Sequence, residues 1–290
     1  MRNFLSILLL VVISTGCSGN HNQNVSELDQ LLSAIDHEDV SVIQKIVQSN
    51  DTLLNYVDSD YLNTPLIRAT YNRKLKSVKS LLSLGANPNI RNVQGVTPQI
   101  VAIIDSRNHS PKDDTKFLSE LLNAGANPND TCYWNGENFS MLTPQSSMLM
   151  LALNYSQDKA KLLIEYGADI NYMNSNNISA AIESLINNRL DIAEFIIVER
   201  HADVTKPFYF QDLINDSVID YSDPHYAVEL LLDMTYDLKS KEYQKKSAII
   251  DEFLKQGINY QSYKDSLDNR ILYRIKKLYP NDWKEYLRLY

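Results

Sequence analysis

Leu81-Leu82-Ser83-Leu84-Gly85-Ala86-Asn87-Pro88-Asn89 is the stretch that decides how this chain folds. Its pattern returns as Leu121-Leu122-Asn123-Ala124-Gly125-Ala126-Asn127-Pro128-Asn129, and again as Leu163-Ile164-Glu165-Tyr166-Gly167-Ala168-Asp169-Ile170-Asn171. Weaker copies lie at residues 197–205 (IVERHADVT) and 231–238 (LLDMTYDL), and residues 46–50 fall at the same phase. The equivalent positions are Asn50, Gly85, Gly125, Gly167, His201 and Thr235, spaced by 35, 40, 42, 34 and 34 residues. A second pattern runs in step with the first. Thr64-Pro65-Leu66-Ile67-Arg68-Ala69 and Thr97-Pro98-Gln99-Ile100-Val101-Ala102 stand 33 apart, with decayed versions from Ser147 to Ala152 and from Ser179 to Ser184. Two motifs at fixed phase describe a chain built from one repeated supersecondary unit.

Each recurring residue type has a physical task. Thr or Ser accepts a hydrogen bond from an orphan N–H at the start of a helix, and Pro fits the first turn because its missing N–H costs nothing there. The Leu-Leu pairs place apolar side chains on faces that stack against the next unit. Gly ends the second helix because a left-handed residue is cheapest without a Cβ. His201 takes that conformation at modest cost, whereas the β-branched Thr235 is the worst fit of the series.

These motifs resemble the ankyrin repeat, although the His that usually follows the Leu is absent from every copy. The resemblance covers residues 26–238 and is best between 63 and 171. It implies an all-α ankyrin-repeat solenoid: about six helix-turn-helix repeats with hairpin fingers, closed by a helical C-terminal cap over residues 239–290. The spacing of 40 is accounted for by an insertion between two helices at residues 106–114 (SRNHSPKDD). The spacing of 42 places its excess in a finger, around Cys132-Tyr133-Trp134-Asn135-Gly136-Glu137-Asn138-Phe139, where Asn135-Gly136 predicts a tight hairpin turn. Residues 239–256 and 266–290 read as amphipathic helices, and eleven of the eighteen Tyr lie after residue 205. Covering the last repeat is their first role. A membrane-surface or partner-binding role is the alternative, with Arg270, Arg274, Lys276, Lys277, Lys284 and Arg288 available but no sustained apolar face to insert.

The N-terminus carries an address. Arg2 precedes an apolar run of twelve at residues 4–15 (FLSILLLVVIST), which as a helix rises about 18 Å, too short for a ~30 Å hydrocarbon core. This reads as a secretory signal over residues 1–16. Ser14-Thr15-Gly16-Cys17 resembles the lipobox of bacterial lipoproteins, in which the Cys is acylated and becomes the mature first residue. Ser14 departs from the Leu usual at that place. The alternative is an ordinary signal peptide with an incidental Cys17. Ser18, where an inner-membrane retention signal would put Asp, favours the periplasmic face of the outer membrane, and residues 17–25 suit a flexible tether.

Composition removes several function classes. The 290 residues carry 28 Lys plus Arg against 36 Asp plus Glu, a net charge of −8, so nucleic-acid binding is not expected. Two Cys exclude a disulfide scaffold, and once Cys17 is acylated Cys132 has no partner within the chain. The five His show no metal-ligand spacing, and no nucleotide or nucleophile motif occurs, so no metal, cofactor or enzymatic activity is expected.

Ankyrin proteins generally bind other proteins through finger tips and inner helices. Carried onto this chain, the candidate tips are Asp58, Asp60 and Tyr61; Arg91, Asn92 and Gln94; Tyr133, Trp134, Glu137 and Phe139; and Tyr172, Asn174 and Asn176. Tyr133, Trp134 and Phe139 read equally well as interface anchors or as packing on the neighbouring repeat. The charge favours a protein partner with a basic or mixed-charge surface. The job implied is that of a membrane-tethered binder, either an immunity protein that blocks a periplasm-acting toxin or a structural adaptor or protector of an envelope enzyme.

Overall fold

The Ser and Thr that open first helices do cap them. Thr64 Oγ1 accepts from Ile67 N–H at 3.1 Å, Thr97 from Ile100 at 3.2 Å, Ser147 from Met150 at 3.3 Å and Ser179 from Ile182 at 3.3 Å. Each cap satisfies a donor that the helix itself cannot, worth about 1 kcal/mol. The computed structural model describes residues 26–57, 63–104, 115–132, 146–210, 221–264 and 269–289.

Helix pairs succeed one another along the chain. They are α1 (Glu27–His37) with α2 (Val40–Ser49), α3 (Pro65–Tyr71) with α4 (Leu75–Ser83), and α5 (Pro98–Ile104) with α6 (Lys116–Asn123). Next come α7 (Met148–Tyr155) with α8 (Gln157–Glu165), and α9 (Ala180–Ile186) with α10 (Leu190–Ala193), which continues as a π-helix over Glu194–Glu199. The last pair is α11 (Ala227–Asp233) with α12 (Lys241–Lys255). First helices stack in the order α1, α3, α5, α7, α9, α11, while α2 packs on α4, α4 on α6 and α12 on α10. The core lies between the two layers, with Leu31, Leu81, Leu118, Leu121, Leu163 and Leu231 fully buried along it.

The glycines stop the second helices as their spacing predicts. Gly85, Gly125 and Gly167 have φ of 96°, 89° and 88°. The amide after each reaches back five residues: Ala86 to Leu81 O at 3.0 Å, Ala126 to Leu121 O at 2.9 Å and Ala168 to Leu163 O at 2.9 Å. His201, at φ 57°, takes the same place in the fifth pair. There Ala202 reaches six residues back, to Ile196 O at 3.1 Å. Ser179 to Ala202 is one residue longer than Thr64 to Ala86, and the π turn absorbs it.

Two expected stops differ. Asn50 has φ −150° and leads into a 3-10 turn over Asp51–Asn55, so it is not left-handed. Thr235 stops nothing, because residues 231–238 belong to the first helix of the last pair and the loop after it, not to the second. The left-handed stop of that pair is Gly257, at φ 86°, with Ile258 N–H on Phe253 O at 2.9 Å. An enlarged finger between Ala202 and Tyr226 shifts the phase. The last pair therefore runs to Gly257, and the chain continues into α13 (Tyr260–Lys264), α14 (Asn269–Leu278) and α15 (Trp283–Leu289). The helix expected across residues 266–290 is broken by Pro280, which lacks an N–H and disfavours helical backbone just before it.

Tyrosines hold these last helices on the solenoid. Tyr286 Oη accepts from Tyr236 N–H at 3.2 Å and donates to Tyr236 O at 2.7 Å, and the Tyr279 and Tyr286 rings stack at 4.2 Å. Tyr243 Oη donates to Leu289 O at 2.6 Å. Ile271 and Ile275 turn the apolar side of α14 inward.

Asparagine side chains join one pair to the next along the finger side. Asn55 Oδ1 accepts from Asn87 N–H at 2.9 Å, Asn89 from Asn127 at 2.9 Å, Asn129 from Asp169 at 2.7 Å and Asn171 from Asp203 at 2.8 Å. Asn89 and Asn129 also donate through Nδ2 to Gly125 O at 2.9 Å and Gly167 O at 3.0 Å. Gln256 closes the series from the far side, accepting from Val204 N–H at 3.1 Å and donating to Ala202 O at 2.9 Å.

Two buried polar groups give stability predictions. Gln99 is 1% exposed and its Nε2 has no hydrogen-bond partner, where Leu66 and Leu149 occupy the equivalent places. Gln99→Leu removes that unsatisfied donor and is expected to raise stability by about 1–3 kcal/mol in chemical denaturation. Lys246 is 0% exposed and donates to Met234 O at 2.8 Å, and burial, helped by Lys264, pushes its ammonium down to about 6. Between that value and the ordinary lysine range the unfolded chain binds the extra proton, so burying Lys246 costs most at low pH. In Lys246→Met the stability gained over wild type is expected to shrink by roughly 1.4 kcal/mol per pH unit from pH ~7 to ~9.5, and a gap that does not change with pH contradicts this.

Candidate functional site

Asparagine also builds the finger turns. Asn92 Oδ1 accepts from Gln94 N–H at 2.9 Å and Val96 N–H at 2.8 Å, and its Nδ2 donates to Asn63 Oδ1 at 3.0 Å. Asn174 repeats the device, accepting from Asn176 N–H at 2.9 Å and Ile178 N–H at 3.0 Å. Gly95 and Asn177 take the left-handed place in the two turns, at φ 81° and 57°. Asn92, Asn174 and Asn176 are consequently buried and shape the fingers instead of standing out from them. Their burial corrects their reading as exposed contact residues: the Asn92 amide and Asn174 Oδ1 are engaged within the turns, and Asn176 Nδ2 faces Tyr209 O of the next finger at 3.5 Å.

Arg91 ties the second finger to the third. It donates to Gly95 O at 2.7 Å, Asp130 Oδ1 at 2.5 Å and Thr131 O at 2.8 Å. Gln94 and its neighbour Val93 are exposed, and Tyr172 is half-buried, with its phenol pushed up by burial. The enlarged third finger begins as a hairpin, with β1 (Thr131–Cys132) antiparallel to β2 (Ser146–Ser147) and Thr131 opposite Ser147. Tyr133, Trp134, Glu137 and Phe139 lie outside the described residues, as do Asp58, Asp60, Tyr61 and Cys17.

One aromatic cluster near the fingers is one that the sequence pattern did not single out. Phe208 and His225 exchange both backbone hydrogen bonds at 2.9 Å, which makes the base of the last finger. On one side Phe208, Phe210 and His225 pack together, with Phe210 edge-on to Phe208 at 5.3 Å and to His225 at 4.8 Å. On the other side Tyr209 meets Tyr221 edge-on at 5.0 Å. The backbone N–H of Tyr209 donates to Asn176 O at 2.9 Å and Tyr221 Oη to Ser175 O at 3.1 Å, so this finger is zipped to the one before it. Phe210 is 46% exposed and Tyr221 60%. Carboxylates flank them: Asp223 lies 3.5 Å from His225 Nε2 and Glu229 3.2 Å from Nδ1. The alternation Phe208-Tyr209-Phe210, with Asp223-Pro224 further along, was the available signal.

The first helices present a second, more polar surface. Arg68 reaches Asp36 at 2.6 Å with Asn72 on the same carboxylate at 2.8 Å, and these bonds with the guanidinium charge outweigh burial to hold Asp36 below its ordinary range. Asn154 bridges Glu183, at 3.1 Å, and Arg189, at 3.0 Å. Burial pushes the Glu183 carboxyl up. These groups are partnered to each other and line only a shallow notch. Among the described residues no group of three His, Cys, Asp or Glu side chains is placed to hold a metal ion. No described helix is long and apolar enough to cross a membrane.

Comparison with known proteins fits this geometry. The ankyrin repeat family model matches residues 61–93, which span the α3–α4 pair and end as the finger turn begins at Asn92. The fold is an ankyrin-repeat solenoid. A stretch of 73 residues is 36% identical to transient receptor potential cation channel subfamily A member 1 of Homo sapiens, covering 25% of this chain and 6% of the channel. The chain thus spans a small fraction of that curated relative's length. Ankyrin repeats are a protein–protein interaction fold, and Phe210 and Tyr221 are exposed aromatics of its last finger.

Cys132 supplies a check on the hairpin base. Burial, with Asp130 nearby, pushes its thiol up to about 12. In the chain from Ser18 onward, alkylation at pH ~8 is expected to be negligible in the folded protein and fast in denaturant, since only the thiolate reacts. Rapid labelling of the native protein contradicts the placement of Cys132.

Proposed function

We propose that this chain is a protein-binding module tethered to a bacterial envelope membrane through a lipid on Cys17, and that it acts as an immunity protein against a toxin working in the periplasm. The observation that carries the binding part is the last finger, where Phe210 and Tyr221 stand exposed on a base fixed by paired backbone hydrogen bonds. A rigid aromatic loses little conformational freedom on binding, which is why Tyr and Trp dominate interface hot spots. Asp223 and Glu229 beside them, in a chain of net charge −8, favour a partner with a basic or mixed-charge surface. The tether and the periplasmic address are supported by the apolar run at residues 4–15 and by Ser14-Thr15-Gly16-Cys17. A binder that needs to meet an invading protein gains from being held where that protein acts, because tethering raises its effective concentration.

Affinity capture from envelope extract and from neighbouring-gene products tests this reading, using the soluble chain from Ser18 onward. Two variants run beside it: Phe210→Ala/Tyr221→Ala, and Tyr133→Ala/Trp134→Ala in the third finger. One partner is expected, with the first variant losing more than ~2 kcal/mol of affinity while melting as wild type does. A partner that is a toxin encoded beside this gene establishes immunity, whereas a housekeeping envelope enzyme replaces it by the adaptor reading. Equal capture by wild type and both variants contradicts binding at the finger edge.

A further inference from the structure

The C-terminal helices have a second face that capping does not use. Over residues 269–289 there are six Lys or Arg and two Asp or Glu, so this end carries +4 in a chain whose net charge is −8. Within α14 there is no carboxylate at all. Ile271 and Ile275 are buried, which leaves Arg270, Tyr273, Arg274 and Lys277 together on the outward side, at the i, i+3, i+4, i+7 spacing of one helix face. All four are exposed, Tyr273 by 70%, and Leu278 beside them by 54%. Arg274 donates to the Asp233 backbone carbonyl at 2.6 Å, a contact that fixes the side chain without cancelling its charge. Nearby, two more ammonium groups approach the ring of the half-buried Trp283, Lys276 at 4.6 Å and Lys284 at 5.6 Å from its centre.

We propose that this outward face docks the C-terminal end of the solenoid onto an anionic phospholipid bilayer. Clustered cations answer the negative surface potential of such a membrane, while the exposed Tyr273 is of a residue type that settles at the headgroup level. The apolar side of α14 is already occupied, so contact is made at the surface without insertion. The remainder of the chain carries −12, which repels a long polyanion running along it, whereas a bilayer meeting one end touches only the basic face. The presence of a bilayer rests on the tethered reading above, and the face itself is testable without the tether.

The experiment is co-sedimentation of the soluble chain from Ser18 onward with vesicles of phosphatidylcholine alone or with roughly 30% phosphatidylglycerol, at low and high salt. Binding is expected only with phosphatidylglycerol and is expected to weaken with salt. Lys277→Glu changes two charges at an exposed position and is expected to lower the partition coefficient about 30-fold with an unchanged melting curve. Arg274→Gln is expected to lower it less, and a polyglutamate competitor to leave the vesicle-bound fraction dominant. No binding to the anionic vesicles, equal binding to neutral ones, equal binding by Lys277→Glu, or preference for polyglutamate overturns the proposal. Since partner capture is read at the fingers with no vesicles present, its failure and this one are distinct.

Discussion

Between successive helix pairs, the first Asn or Asp after the left-handed stop exposes a backbone N–H that its own pair does not satisfy, and an asparagine of the preceding pair accepts from it. Asn55, Asn89, Asn129 and Asn171 do this for Asn87, Asn127, Asp169 and Asp203. Each such bond is worth on the order of 1 kcal/mol net, small beside the apolar burial between helices. Its weight lies in direction. Apolar stacking of Leu faces permits sliding, whereas a side-chain amide that must meet one particular N–H fixes the step from each pair to the next. In a fold where each repeat touches only its neighbours, that step sets the spacing of all the fingers.

The finger row depends on this constraint. Once the steps are fixed, Asn92 and Asn174 close their turns on themselves, Arg91 bridges to Asp130, and Asn176 pairs with Tyr209. The last finger is held to the one before it by Tyr209 N–H on Asn176 O and Tyr221 Oη on Ser175 O, so its aromatics are presented from a fixed base. The cap serves the same end from the other side, with Gln256 completing the asparagine series and the Tyr236, Tyr279 and Tyr286 cluster pinning α14 and α15.

Much of this was legible in the sequence because it depends on single residues with one conformational role. Gly85, Gly125 and Gly167 mark left-handed stops, Thr64, Thr97, Ser147 and Ser179 mark caps, and even His201 reads correctly as a stop without glycine. Thr235 misled because phase is counted in residues, and a finger enlarged between Ala202 and Tyr226 displaces everything after it. The fingers were harder for another reason. An asparagine looks the same in sequence whether its amide faces a partner or closes its own turn, so Asn92, Asn174 and Asn176 could only be separated from Gln94 by burial. The inter-repeat hydrogen bonds join residues 32 to 40 apart and leave no local pattern beyond the repeat itself.

Native-state hydrogen exchange of the backbone amides of Asn87, Asn127, Asp169 and Asp203 tests the asparagine constraint most directly. These residues sit in surface turns, where amides facing water exchange at close to intrinsic rates. If the asparagine of the preceding pair fixes each step, all four amides are protected and open together with the helices on either side of them. Exchange at unprotected rates, with the neighbouring helices still closed, would show that apolar stacking alone sets the solenoid and that these bonds are incidental.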